Sequence, residues 1–156
     1  MDEIDGGTLV ELPAGPGRDG VRAAGRPVVL IGEDDPDIQE AVSELLASAG
    51  YEVIRAGDGR EMAALLDDGL RPAVILLDLM MPRVNGHDFL AWRGVRPDLR
   101  TIPVVVFSAS DFDAVLLRTQ MISALLVKPA TAQQLLSAIS QAAKTGTLAA
   151  GARPPA

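Results

Sequence analysis

AVILL, residues 73–77, runs without a break into DLMMPRVNG, residues 78–86. A continuous aliphatic run of this length has no polar face, the pattern of a strand buried on both sides. A carboxylate placed directly after such a run is costly unless something compensates it, and Asp78 stands there. Asn85-Gly86 reads as a turn, with Asp88 to Arg93 opening a helix after it.

The same alternation repeats on either side. Upstream, Val28 to Ile31 (VVLI) is another doubly apolar strand, and Ile38, Ala41, Val42, Leu45, Leu46 and Ala49 keep helical spacing until Gly50. Tyr51 to Ile54 predicts a weaker strand and Arg60 to Leu66 (REMAALL) a short helix. Downstream, Pro103 to Phe107 (PVVVF) predicts a strand, Asp111 to Arg118 a helix, Ala124 to Val127 (ALLV) a strand, and Thr131 to Lys144 a last helix with Gly146 beyond it. Five strands alternating with five helices predict a parallel α/β sheet with right-handed crossovers and helices on both faces. Ligands in such folds sit beyond the carboxyl ends of the strands. Residues 1–26 and 145–156, rich in Gly, Pro and Ala, predict flexible arms around a 27–144 domain. The apolar patch Leu9 to Leu12 reads either as part of that arm or as a docking segment.

Composition removes several function classes. Hydrophobic residues make up 48% of the 156 but aromatics only 3%, so the core is aliphatic. A net charge of −7 opposes a broad nucleic-acid footprint. The absence of cysteine excludes disulfides, zinc–thiolate sites and cysteine nucleophiles, and a single histidine, His87, excludes a multi-histidine metal site. No apolar run approaches the roughly 20 residues of a membrane span, and MDEIDGG is not a signal pattern. The expectation is a cytoplasmic protein that binds neither nucleic acid nor membrane.

Glu33, Asp34 and Asp35 follow the first strand, Asp78 the third, Ser108 the fourth, and Lys128-Pro129 the fifth. Each has an ordinary reading. The acidic trio serves as a helix cap ahead of Pro36, with Asp35 as the cap; Asp78 is a turn residue, Ser108 a cap, Lys128 a solvated lysine. Those readings explain the conjunction poorly, because clustered carboxylates raise one another's pKa. A divalent cation resolves the conflict, and Mg²⁺ takes a few carboxylates together with a phosphate.

VVLIGEDDPDIQEAV, VILLDLMMPRVNGHDFL, IPVVVFSAS and LLVKP together resemble bacterial response-regulator receiver domains, the CheY-like modules of two-component signalling. The resemblance spans about Pro27 to Lys144. It implies a flavodoxin-like, doubly wound five-stranded parallel sheet of order 2-1-3-4-5. It also implies that Asp78 accepts a phosphoryl group from phosphohistidine on a sensor histidine kinase or phosphotransfer protein. On the same resemblance Asp34 would ligate Mg²⁺ directly and Glu33 mostly through a water, with Asp78 and the Met80 backbone carbonyl as further protein ligands. By the same resemblance Ser108 would hydrogen-bond one phosphoryl oxygen and Lys128 pair with another, and Lys128-Pro129 is similar to the family's cis peptide. No enzymatic turnover is implied beyond self-phosphorylation and slow loss of the phosphoryl group. Residues 145–156 leave no room for an output domain, so output is expected through a downstream protein target or onward phosphotransfer, with a homodimer among the forms allowed.

Departures from the family pattern qualify the switch. Leu125 stands where an aromatic is usual, which puts a ring-flip relay in doubt, and Gly32 replaces an apolar residue, read as a need for backbone room. Leu116, Leu117, Met121 and Ile122 are either core or a partner surface. Met80 and Ser110 flank the expected pocket, and an apolar Met80 cannot orient an attacking water, so slow hydrolysis is expected. His87 is expected to be exposed and inert. Two rivals remain: a receiver-like interaction module that is not phosphorylated, and a phosphohydrolase of the haloacid-dehalogenase type. The latter needs a second acid two residues after the nucleophile, where this chain has Met80.

Overall fold

The structure, a computed structural model, describes residues 25–81, 85–108 and 122–151, with side chains to Lys144. In chain order the elements are β1 (Val28–Gly32), α1 (Pro36–Ser48), β2 (Glu52–Ala56), α2 (Gly59–Asp67), β3 (Val74–Leu77), α3 (Gly86–Gly94), β4 (Val104–Ser108), β5 (Ala124–Val127) and α4 (Ala132–Gly151). The strands form one parallel sheet in the order β2-β1-β3-β4-β5. This is the expected flavodoxin-like, doubly wound sheet. Four helices, not five, occur among the described residues; the helix expected over Asp111–Arg118 lies outside them, as do Ser110 and the patch Leu9–Leu12.

Alternation along the strands splits the interior in two. Leu30, Ile75, Leu77, Val104 and Val106 face Met62, Leu66, Phe89 and Leu90 of α2 and α3. Val29, Ile31, Leu76 and Val105 face Val42 and Leu46 of α1 and Leu135 and Ile139 of α4. Each such side chain, removed from water, contributes about 1.5–3 kcal/mol. The central strands β1 and β3 are buried at every residue, as continuous apolar runs require. β2, an edge strand, leaves Arg55 exposed.

Helix starts are chemically explicit. The Asp35 carboxylate accepts from the Asp37 and Ile38 N–H groups at 2.9 and 3.4 Å, so the cap expected there is Asp35, leaving Glu33 and Asp34 for other work. Thr131 and Gln134 form a reciprocal capping box at 2.9 and 3.0 Å. The Asn85-Gly86 pair is not a free turn before Asp88. Asn85 caps α3 by accepting from the Asp88 N–H at 2.9 Å, and Gly86 is already the first helical residue. At its far end α4 continues past the expected stop at Lys144 to Gly151. Gly146 carries only the ordinary glycine cost of about 1 kcal/mol, and the residues after it include strong helix formers.

Two glycines are required by close approach. A Cβ on Gly32 would run into Sδ of Met62 and lie 2.8 Å from its Cε, the Met62 side chain occupying the room vacated at the end of β1. A Cβ on Gly86 would lie 2.5 Å from the Leu79 Cα and 2.9 Å from the Asp78 carbonyl oxygen. Backbone cannot yield as a thioether can. Gly86→Ala, normally favourable within a helix, is therefore expected to cost roughly 1–3 kcal/mol, more than Gly32→Ala. Urea midpoints of the two variants check the order, and a Gly86→Ala protein as stable as wild type would contradict it.

Candidate functional site

The ladder of the sheet extends one residue past its strands and carries the candidate residues with it. Glu33 N–H donates to the Ala56 carbonyl at 3.1 Å, Asp78 N–H to that of Gly32 at 2.9 Å, and Lys128 N–H to that of Ser108 at 2.7 Å. Each of the five strand ends is thereby tied to a neighbouring strand before any side chain is considered. Gln39 of α1 adds a clamp, its amide donating to the Glu33 carbonyl at 2.9 Å and the Ala56 carbonyl at 3.2 Å.

Carboxylate oxygens of Glu33, Asp34 and Asp78 lie within 4.8 Å of one another. Glu33 and Asp78 are 4% and 5% exposed, whereas Asp34 faces solvent. Lys128 Nζ stands between the buried pair, 3.4 Å from Glu33 Oε1 and 3.6 Å from Asp78 Oδ2. The remaining oxygens meet backbone donors: Asp78 Oδ1 accepts from Met80 N–H at 3.1 Å and Glu33 Oε2 from Asp35 N–H at 3.2 Å. Burial, and then the Asp78 charge, push the Glu33 carboxyl up to about 7, against the opposing pull of the Asp35 N–H and Lys128. Three carboxylates against one ammonium leave this rim electrostatically unfinished.

An all-oxygen donor set with surplus negative charge and one carboxyl that resists ionisation suits a hard divalent cation. The residues present therefore fit Mg²⁺. Ser108 ends β4, buried, and its carbonyl holds the root of Lys128. Met80 is fixed by its N–H to Asp78, but its side chain is 71% exposed. The Lys128-Pro129 bond is cis. Leu125 packs partly buried against the α2–α3 core, and so does Ile122, which is therefore core rather than partner surface; Leu116, Leu117 and Met121 lie outside the described residues. His87 is half-buried in the first turn of α3 rather than exposed, because that turn packs onto the chain beyond β3. Two contributors escape a reading of the sequence. Gln39 looks like any polar residue of an amphipathic helix. Phe107, whose ring centroid lies 4.9 Å from Lys128 Nζ, gives only one hint, an aromatic directly before Ser108 in a chain poor in aromatics.

Comparison with known proteins agrees with this geometry. The family model for the response regulator receiver domain matches residues 29–140. The DNA-binding dual master transcriptional regulator RpaA of Synechocystis is 45% identical over 85 residues, covering 53% of this chain and 34% of that protein. The transcriptional regulatory protein CpxR of Escherichia coli is 39% identical over 90 residues, covering 56% and 37%. The chain thus matches about a third of the length of these curated relatives. Among solved structures, the chemotaxis response regulator CheY4 of Vibrio cholerae superimposes with a TM-score of 0.68 at 28% identity, covering 75% of this chain and 98% of that one. The bacteriophytochrome response regulator AtBRR gives 0.64 at 32%, covering 74% and 91%. No described helix is long and apolar enough to cross a membrane. With the sheet order, the acidic rim and the family model in agreement, the chain belongs to the response regulator receiver domains of two-component signalling.

Proposed function

We propose that Asp78 is the phosphoacceptor of this receiver, taking a phosphoryl group from a phosphohistidine on a sensor histidine kinase or phosphotransfer protein. One observation carries the reading: a buried carboxylate, already crowded by two others, has an ammonium 3.6 Å from the oxygen that its backbone donor leaves open. An Asp78 carboxylate oxygen attacks phosphorus in line, the P–N bond to the histidine breaks, and the imidazole leaves with that electron pair. Met80 N–H holds Oδ1, which leaves Oδ2 toward Lys128 as the attacking oxygen. Lys128 pairs with a phosphoryl oxygen as charge accumulates there, and the Ser108 hydroxyl donates to another. Glu33, Asp34, Asp78 and the Met80 backbone carbonyl would hold Mg²⁺, which when bound neutralises charge on the transferring oxygens. Asp78 is consumed and regenerated rather than turned over on a substrate, so the chain is not an enzyme in the ordinary sense. Signal output then goes through a protein target or onward phosphotransfer, in the cytoplasm where a kinase presents its phosphohistidine.

A second reading, an interaction module without phosphorylation, draws on Leu125, which packs into the core where an aromatic switch is usual. Intact mass after incubation with acetyl phosphate and Mg²⁺ separates the two. Wild type is expected to gain one phosphoryl mass and Asp78→Asn none; no gain in wild type would favour the second reading.

The exposed thioether of Met80 is at best a weak acceptor and cannot orient a water approaching the aspartyl phosphate as an amide or carboxylate would. After removal of the donor the modification is expected to persist for minutes or longer, as timed by phosphate release, and Met80→Asn or Met80→Glu to shorten it. Loss within seconds in wild type would exclude this role for Met80.

Folding raises the Glu33 pKa from 4.5 to about 7, so the folded chain keeps a proton that the unfolded chain releases. That contribution to stability is full below pH 4.5 and disappears as pH rises through 7. In metal-free buffer Tm should therefore fall across this window, flatten in Glu33→Gln, and recover above pH 7 on adding Mg²⁺. Identical pH slopes for wild type and Glu33→Gln would rule out Glu33 as the source.

A further inference from the structure

Lys128 is held less firmly than its neighbours suggest. Neither ion-pair distance, 3.4 Å to Glu33 or 3.6 Å to Asp78, is that of a close charge-assisted bond, normally about 2.7–2.9 Å. The root of the side chain is tied to the Ser108 carbonyl, but a flexible aliphatic stem separates the ammonium from that root. The side chain is also 23% exposed, so water competes for the charge.

Phe107 supplies another wall. Its ring centroid is 4.9 Å from Nζ, within the roughly 6 Å over which a ring face attracts a cation. The ring is itself anchored, packed against the interior that contains Ile31, Val105 and Leu135. It also borders a small cavity shared with Glu33 and Asp78. Attraction by carboxylates and attraction by a ring respond differently to a change of charge. Once a dication neutralises Glu33 and Asp78, their pull on Lys128 falls away, whereas the ring quadrupole is unchanged.

We propose that Phe107 is a positioning residue that keeps the Lys128 ammonium beside the Asp78 carboxylate when charge on Glu33 and Asp78 no longer holds it there. The inference rests on the phosphoacceptor reading of Asp78. Leucine at this position keeps most of the apolar volume and removes the quadrupole; tyrosine keeps both. Phe107→Leu should slow the maximal rate of phosphorylation by acetyl phosphate, at saturating Mg²⁺, about fivefold, the ratio given by ~1 kcal/mol. Phe107→Tyr should restore it, and the half-saturating Mg²⁺ concentration should be unchanged in both.

A double-mutant cycle discriminates this role from a general packing defect. In a Lys128→Gln background, Phe107→Leu should produce no further slowing, since the group it positions is gone. Equal slowing in both backgrounds, or a Phe107→Leu rate equal to wild type, would overturn the inference and leave Asp78 as acceptor. Failure of wild type to gain a phosphoryl group at all would overturn the acceptor reading and this role of Phe107 with it.

Discussion

A carboxylate removed from water loses hydration worth several kcal/mol, and Glu33 and Asp78 both undergo that loss at one rim of one sheet. Each is given one backbone N–H, and the two share one ammonium. The compensation is incomplete, as the upward displacement of the Glu33 pKa records. Buried charged groups replaced together by apolar residues of similar volume often leave stability unchanged or raise it. The arrangement is therefore better understood as a site prepared for additional positive charge than as a device for stability.

The scaffold makes this unfinished rim affordable by fixing its geometry elsewhere. Parallel strands present their carboxyl ends on the same side, and the ladder bonds from Glu33, Asp78 and Lys128 carry that order one residue beyond the strands. Gln39 joins the ends of β1 and β2, and Asp35 takes the helix cap so that Glu33 and Asp34 remain available. Two aliphatic cores on opposite faces hold the sheet, so displacement of any one acidic side chain does not threaten it.

Much of this was legible in the residues because the relevant signals are local. Doubly apolar runs announce buried parallel strands, and a polar residue directly after such a run announces a strand end; Asp78 and Lys128 follow from that rule alone. Glu33 was legible as a member of an acidic cluster, but not as the one whose ionisation is hardest, since that depends on burial and on Asp78 from another strand. Gln39 and Phe107 act across elements, and nothing in their own segments separates an amide clamp or a cation-facing ring from ordinary helix surface or strand interior. Asn85-Gly86 was misread for a related reason. The pair has the chemistry of a turn, but Asn85 is also a helix-capping residue, and its bond from the Asp88 N–H makes Gly86 a helix start.

The backbone contact at Gly86 also joins α3 to the acidic rim. Its N–H donates to the Leu79 carbonyl at 3.0 Å, and its α-carbon has no space for a methyl group beside the Asp78 peptide. Residues 79 and 86 are thus held side by side where α3 begins. The first residue of α3 therefore meets the peptide of the candidate acceptor directly, through space as well as through the chain between them.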